Sequence, residues 1–401
     1  MQIGPYKLRE SCSLCRGRNL VKALSLPPTP LANEFLPEPA EQEIFPLDLL
    51  LCNGCGHLQV EAIVNAERFF TNYVYVTGTS AVTVEHLWQY AEHVSKRFKP
   101  SNVLEIGSND GTMLVAFKAL GVNVLGIDPA KNISVQGDLP TIRAFFDSNL
   151  AENIYSVRGP FDLIVANNVF AHVENLADIA AGVRILLDKS GVFVFEVAYL
   201  VDTIKHNLFD TIYHEHYSHH AVTPLVSALK TLDLHVFDVE RTSGQLGRGS
   251  IRIYASADNR EVSETVSRAL EEEASMRLFD LSTYAAWREQ IEAAAKAFKE
   301  QLARYRGNKI AGFGAPAKLT TLMYTFGLGR EDCEFVVDDA LHKQGLYTPG
   351  LNIPVKPVSA LTQEKPDVCV IYAWNFYDSI LRRFEGQGIK FIVPLPEYKE
   401  Y

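Results

Sequence analysis

LEIGSNDGTMLVAFKAL at 104–120 decides the fold of the central part of the chain. A short apolar run stops at a glycine-rich turn, and the turn opens a segment whose apolar residues recur at helical spacing. NVLGID at 123–128 supplies a second apolar run, ending on a carboxylate. FDLIVANNV at 161–169 and GVFVFEVAY at 191–199 are further runs of the same kind. Short, near-continuous apolar strands alternating with helices predict an α/β fold with a parallel sheet covered on both faces. Upstream, Val84, Leu87, Trp88, Ala91 and Val94 recur at helical spacing behind Ser80, a natural N-cap.

A glycine-rich turn at a strand tip lets a ligand approach the backbone at the head of a helix. Glu105, Gly107, Asn109 and Gly111 are the candidate cofactor residues of that turn. Asp128, at the next strand tip and followed by Pro129, places a carboxylate for ribose hydroxyls. A dinucleotide would suit the same outline, but three features favour S-adenosylmethionine. The turn reads Gly107-x-Asn109-x-Gly111, not the Gly-x-Gly-x-x-Gly that clears a pyrophosphate. Glu105 offers a negative charge to the amino group of a cationic cofactor. The strand at 161 ends in Asn167-Asn168, with His172 close behind. This order of elements resembles the class I methyltransferases, in which the end of the fourth strand lies by the methylsulfonium. On that match Asn168 joins the cofactor set.

The first ~70 residues stand apart as rich in Pro and Cys. Cys12-x-x-Cys15 and Cys52-x-x-Cys55 are two matched knuckles. Four thiolates satisfy a tetrahedral Zn²⁺ with no open position, which is a structural site. His57 could stand in for a cysteine, but an all-thiolate site is simpler. LSLPPTPLANEFLPEPAEQE at 24–43 reads as an irregular loop, and FPLDLLLCNGCGHLQV at 45–60 as two short strands joined by a cysteine turn. Cys333 and Cys369 fall on apolar strands and read as core residues.

Between 262 and 306, Leu281, Tyr284, Trp287, Ile291, Ala294, Phe298, Leu302 and Tyr305 mark one helical stripe, a helical connector. A second α/β unit follows, with strands in NKIAGFG, CEFVVDD and PDVCVIYAW and a helix in AKLTTLMYTFG. Glycine-ended strand, helix, then a strand ending in Asp occurs at 102–128 and again at 308–339. Internal duplication would produce this, and so would two unrelated doubly wound domains.

The 401 residues carry a formal charge of -10 and are 47% hydrophobic, enough for a large core. No long basic run is present, so a nucleic-acid partner is disfavoured. No apolar stretch reaches the ~20 residues of a membrane span. The start lacks the basic and apolar pattern of a secretory signal, so the cytoplasm is the expected location. Oligomeric state stays open, a monomer being compatible with all of this.

IYHEHYS at 212–218 carries a run of ionisable side chains, with His206 and Asp210 before it and His219-His220 after it. No His-Glu-x-x-His spacing is present. Histidines at i and i+2 fit an extended segment that puts both on one face, where a second metal is one use. The other use is general base catalysis. Carbon methylation beside a ketone needs a proton taken from carbon, and a histidine titrates in the right range. A neighbouring Glu would orient the imidazole, and a Tyr or His would hydrogen-bond the enolate oxygen.

Taken together the motifs resemble the zinc-containing, S-adenosylmethionine-dependent sugar C-methyltransferases, as in tetronitrose biosynthesis. The resemblance rests on the cysteine quartet, NYVYVTGTS at 72–80, LEIGSNDG at 104–111, YHEHYS at 213–218, GFGAPAK at 312–318, VDDALHKQGLYTPG at 337–350 and AWN at 373–375. It implies a zinc-binding module at 1–70, a class I methyltransferase Rossmann-like domain at 71–260, the helical connector at 261–306 and a second Rossmann-like domain at 307–401. It implies a nucleotide-diphosphate-linked 4-keto deoxysugar where the domains meet, methylated at carbon 3′. It implies His216 as base, with Tyr213, Glu215 and His172 in the catalytic group and Tyr75, or else Tyr73, against the substrate. GFGAPAK would hold the diphosphate with backbone amides and Lys318, or would simply pack helix on strand with Lys318 at the surface. SGQLGRGSIRIY at 243–254 departs from the family's glycine-paired segment, which leaves the sugar's identity open. Two other readings remain: an O- or N-methyltransferase on another small molecule, and a non-enzymatic zinc-containing binding protein.

Overall fold

The computed structural model describes residues 5–242 and 249–401. Positions 243–248, the first part of the departing segment, lie outside the described residues.

The central sheet has seven strands in the order His235–Thr242, Ser250–Ser256, Leu187–Ala198, Phe161–Asn167, Asn102–Ile106, Asn123–Ile127, Thr141–Ile142. All run in the same direction except Ser250–Ser256, which is antiparallel to both its neighbours. The apolar runs are continuous because both faces are covered. Val103, Val165 and Val194 pack under helices Ala81–Phe98 and Thr112–Ala119, while Leu104, Ile164 and Phe193 pack under helices Ser148–Arg158 and Leu176–Leu186. Ser80 caps the first of these helices, its hydroxyl accepting from the Thr83 amide at 3.3 Å.

The N-terminal part is more regular than its prolines suggest. Leu20–Thr29 is a ten-residue strand paired antiparallel with Phe45–Cys52, so irregularity begins only after it. Pro27 and Pro28 are tolerated because this strand lies at the sheet's edge, where a missing amide donor leaves no ladder bond broken. Leu24 and Leu26 point inward opposite Leu49 and Leu47. At the other edge, Leu58–Val60 pairs with Ser218–His219. The sheet is therefore completed by a strand that directly follows the histidine cluster.

The connector is two helices, Glu264–Ser275 and Leu281–Leu302. Tyr284, Trp287, Ile291, Phe298 and Leu302 are buried, whereas Leu281 is exposed, so the buried stripe starts one turn later than its sequence suggests. The second helix packs on strand Leu20–Thr29 and on helix Lys318–Phe326.

The C-terminal sheet has six strands, ordered Val355–Lys356, Phe335–Val337, Ile310–Phe313, Val368–Ile371, Lys390–Val393, Lys399–Glu400, all parallel but the last. Cys369 is on its strand and Cys333 sits two residues ahead of one; both are buried. The two α/β units repeat a hydrogen-bond device. Gly107 donates to the Ile127 carbonyl and Gly314 to that of Val337, both at 2.7 Å. The Asp128 carboxylate accepts from the Asn109 and Ala130 amides, and that of Asp338 from Ala315 and Ala340. Among the described residues, no helix is long and apolar enough to cross a membrane.

Candidate functional site

The four cysteine sulfurs lie within 4.8 Å of one another. Cys12 and Cys55 are 3.7 Å apart and Cys15 and Cys52 3.6 Å. A tetrahedron with zinc–sulfur arms of ~2.3 Å has edges of about 3.8 Å, so the quartet fits zinc as it stands. His57 is not part of it, because its Nε2 pairs with the Ser218 hydroxyl at 3.0 Å. Among the described residues no other group of three His, Cys, Asp or Glu side chains is placed to hold a metal.

A cavity of about 530 Å³ opens at the tips of the central strands. Gly107, Asn109, Asp128, Pro129 and Asn168 line it, as do Tyr73, Tyr75, His172, Tyr213, His216 and Lys318. Ala66 and Phe70 reach it from the N-terminal module and Trp374 from the C-terminal domain. Gly107 has φ 73°, and a Cβ there would lie 2.4 Å from Val169 Cγ2. The Asp128 carboxylate keeps lone pairs for a ligand beyond its two backbone donors. In the same wall Asn167 Oδ1 is buried with no hydrogen-bond partner. These groups suit the ribose and the polar end of S-adenosylmethionine.

Three candidates from the turn and the cluster do not line the cavity: Glu105, Gly111 and Glu215. Glu105 points to the opposite face of the sheet, buried, and burial raises its pKa well above the carboxylate range. Gly111, at φ 84°, caps helix Thr112–Ala119. Asn109 lines the cavity with its side chain already engaged: Oδ1 accepts from the Thr77 amide at 2.9 Å and Nδ2 donates to the Tyr75 carbonyl at 3.0 Å. Asp110 accepts from the Gly78 amide at 2.9 Å. LEIGSNDG thereby holds NYVYVTGTS over the cavity, two motifs that are separate in sequence.

The 213–216 segment is a turn, not an extended strand, with the His216 amide donating to the Tyr213 carbonyl at 2.9 Å. The two histidines therefore diverge. His214 packs on Phe45 and donates through Nε2 to the Pro46 carbonyl at 3.0 Å. His216 donates through Nδ1 to the Thr211 carbonyl at 2.7 Å. A carbonyl only accepts, so Nδ1 carries the proton and Nε2 is the acceptor. Tyr213 donates its hydroxyl proton to that Nε2 at 2.7 Å. Burial, reinforced by His172 and His219, holds the His216 pKa well below its ordinary value, so the ring is neutral.

His172 donates through Nδ1 to the Glu215 carbonyl at 2.9 Å, its ring 4.8 Å from that of His216. Its Nε2 has no hydrogen bond among the described residues. Burial lowers its pKa to about 4. Glu215 does not orient either imidazole through its carboxylate. That group accepts from Asn33 Nδ2 at 2.7 Å, and burial raises its pKa to about 7. Thr211 supplies the orientation instead.

GFGAPAK is at most a partial anion cradle. The amides of Gly314 and Ala315 donate to Val337 and Asp338 and Pro316 has none, while those of Ala317 and Lys318 have no acceptor among the described residues. Lys318 is not at the surface; it is 7% exposed and faces the cavity.

This chain is 31% identical to the C-methyltransferase NovU of Streptomyces niveus over 404 aligned residues, 97% of this chain and 96% of that one. The chain belongs to the C-methyltransferase family. Its parts match three family descriptions: "Putative zinc binding domain" over 12–70, "Methyltransferase domain" over 85–238 and "C-methyltransferase C-terminal domain" over 245–396. Two solved structures also align. A SAM-dependent methyltransferase from Archaeoglobus fulgidus is 16% identical with TM-score 0.36, over 43% of this chain and 93% of that one. Magnesium protoporphyrin IX methyltransferase from Synechocystis PCC 6803, with bound SAH, is 16% identical with TM-score 0.33, over 43% and 84%. This C-methyltransferase is an S-adenosylmethionine-dependent enzyme with a structural zinc site.

Several residues of the C-methyltransferase cavity carry no catalytic signal in sequence. Phe70 packs edge-on against His172 at 5.4 Å. Trp374 donates through Nε1 to Asp210 Oδ2 at 2.6 Å, and Thr321 donates to the Ile212 carbonyl at 2.7 Å. AWN at 373–375 was the one available clue to this layer.

Two predictions follow from these placements. Stripping the zinc with a chelator, or Cys52→Ser, lowers unfolding stability by several kcal/mol and abolishes stoichiometric zinc binding. Full cooperative unfolding at an unchanged midpoint would show that apolar contacts alone fold the module. Acid should also act through His172 and His214, both with pKa lowered to about 4 by burial. The unfolded chain binds their protons below pH ~6.5 while the fold excludes them, so stability is complete above that pH and falls as pH drops toward 4, by roughly 3 kcal/mol for each. Denaturant titrations from pH 7 to 4 measure this, and His214→Phe should flatten the slope.

Proposed function

We propose that the enzyme methylates carbon 3′ of a nucleotide-diphosphate-linked 4-keto deoxysugar, with His216 as the base. The observation that carries this reading is the Nδ1–H bond from His216 to Thr211, which leaves a neutral Nε2 lone pair in the cavity wall shared with Asn167 and Asn168. A hydrogen on carbon beside a ketone is weakly acidic, so its removal needs a desolvated, fixed acceptor. S-adenosylmethionine, when bound, supplies an electrophilic methyl group. Asp128 would hold its ribose, and Asn167 and Asn168, on the same cavity wall, would hold its polar end.

The substrate enters between Tyr73, Tyr75 and Phe70 on one side and Tyr213, His216 and Lys318 on the other. Its C–H displaces the Tyr213 hydroxyl from Nε2, and His216 takes the proton. His172, bare at Nε2, accepts from a sugar hydroxyl. The apolar rim of Ala66, Phe70 and Val173 excludes water that would reprotonate the carbanion.

His216→Asn should lower kcat by about a thousandfold or more and leave S-adenosylhomocysteine affinity within about twofold, measured by turnover of keto sugars carrying thymidine, guanosine or cytidine diphosphate and by calorimetry. NMR should show the new methyl on carbon; a methyl on oxygen or nitrogen would end this reading. Because the His216 pKa is depressed, kcat should hold as pH falls to the ordinary histidine value of ~6.5 and drop only below it. A limb at or above ~7 would exclude His216 as the base.

A further inference from the structure

Helix Lys318–Phe326 begins with a lysine where a first turn usually carries an acid. The helix docks its buried face on the segment just ahead of the base turn. Thr321 donates to the Ile212 carbonyl and Phe326 packs on Phe209, with ring centroids 5.5 Å apart. Lys318 is one turn before Thr321 and so shares that face, which places its side chain at the cavity beside Tyr213 and His216.

The ammonium is held but not neutralised. Nζ donates to Asn375 Oδ1 at 3.0 Å and lies 3.9 Å from the Trp374 ring centroid. No carboxylate among the described residues comes within ion-pair distance of it. The acid acting on it is the buried Asp210, whose Oδ2 accepts from the Trp374 indole and whose Oδ1 has no hydrogen-bond partner, but it lies beyond ion-pair distance. A buried cation without a directly paired anion is expensive, and an ammonium has three donors of which Asn375 takes one. Among the described residues Lys318 is the only lysine or arginine in the cavity wall. The cavity side of the ammonium therefore has a place for an oxygen that carries negative charge.

A diphosphate does not supply that oxygen well. Only the Ala317 and Lys318 amides would be left to share its charge, those of Gly314 and Ala315 being bonded within the protein. Tyr213, the other candidate donor to a ketone, points its proton at His216 in the free enzyme and, once the substrate displaces it, is a neutral donor that brings no positive charge to the enolate oxygen. We infer that Lys318 donates to the ketone oxygen of the substrate and stabilises the enolate formed there. The inference rests on the ketone substrate proposed above.

The step balances. His216 Nε2 takes the proton from the carbon beside the ketone. The C–H electron pair becomes the new C=C bond, and the C=O π pair moves onto oxygen, which Lys318 hydrogen-bonds as an anion. When the C=C pair attacks the methyl carbon, the C=O bond re-forms, the methyl–sulfur bond breaks onto sulfur, and Lys318 is unchanged. Asn375 is a positioning residue that aims the ammonium.

The test separates proton removal from methyl transfer. Thymidine-diphosphate 4-keto-6-deoxyglucose is incubated in D₂O with enzyme and S-adenosylhomocysteine, and deuterium uptake beside the ketone is followed by proton NMR. Turnover with S-adenosylmethionine is measured in parallel. Lys318→Met, which keeps the apolar stem, should lower both exchange and kcat by about a hundredfold or more, with KM for the sugar nucleotide within about threefold. Lys318→Arg should recover part of the exchange, and Asn375→Ala should lose about tenfold in kcat. Exchange by Lys318→Met at the unmutated rate overturns the assignment alone, as does a rise in KM of about tenfold with kcat kept, which is a diphosphate contact. Absence of exchange and of carbon methylation in the unmutated enzyme overturns the ketone reading, and the Lys318 assignment with it.

Discussion

A backbone carbonyl accepts a proton and never gives one, and the carbonyl of Thr211 sits 2.7 Å from Nδ1 of His216. That contact fixes which nitrogen of the buried imidazole keeps its lone pair, the one that accepts from Tyr213. Most of what the cavity can do follows from it, since a flipped tautomer would present N–H to the substrate and no base. The carbonyl is itself fixed from the C-terminal domain. Trp374 grips Asp210 on one side of Thr211, and Thr321 grips the Ile212 carbonyl on the other. Two residues more than 100 positions downstream thus set the protonation pattern of a histidine they do not touch.

The same turn is held from the N-terminal side. Just past it, Ser218 and His219 complete the sheet of the zinc-bearing module by pairing with Gln59 and Leu58. Tyr217 donates to the Val64 carbonyl at 2.6 Å, His214 to Pro46, and Asn33 to Glu215. The module has an apolar core, Phe45, Leu47, Leu49 and Leu51 within it, to which metal ligation would add folding free energy. Through those bonds a zinc ion held by the four cysteines would stiffen the turn from outside the cavity. Leu36 and Tyr347 bridge the outer parts of the molecule directly, and Gln42 accepts from the Gly350 amide, closing the ring of three parts around the cavity.

Sequence alone made the parallel strands, the Ser80 cap and the cysteine quartet legible, because each depends on local spacing. Leu20–Thr29 was hidden by Pro27 and Pro28, whose effect on a strand depends on whether it lies at an edge, a tertiary fact. The histidines at 214 and 216 suggested one shared face; a turn separated them, and nothing within five residues foretold it. Glu105 illustrates the same limit. Its charge suited a cationic cofactor, but strand alternation sends its side chain to the face away from the cavity, beneath helix Ala81–Phe98. Asn109 was legible as part of the turn, yet its amide's role, tying down the 75–77 segment, needed that segment's path.

The two α/β units show how one device serves different ends. In each, a glycine with positive φ closes against the residue following a neighbouring strand: Gly107 on Val169, and Gly314, at φ 92°, on Ala373. In each, an aspartate at the next strand tip accepts from the turn's amides. In the first unit the space beyond that aspartate is the cavity. In the second, Asp338 does not line a comparable opening, and the helix after the turn starts with Lys318 directed into the cavity of the first unit. A turn built to meet a ligand at its own strand tips has become a support that carries one cation to another domain's ligand. The backbone bonds are alike but not equivalent, the first amide donor lying two residues after Gly107 and one after Gly314, so duplication and a shared doubly wound geometry account for them alike.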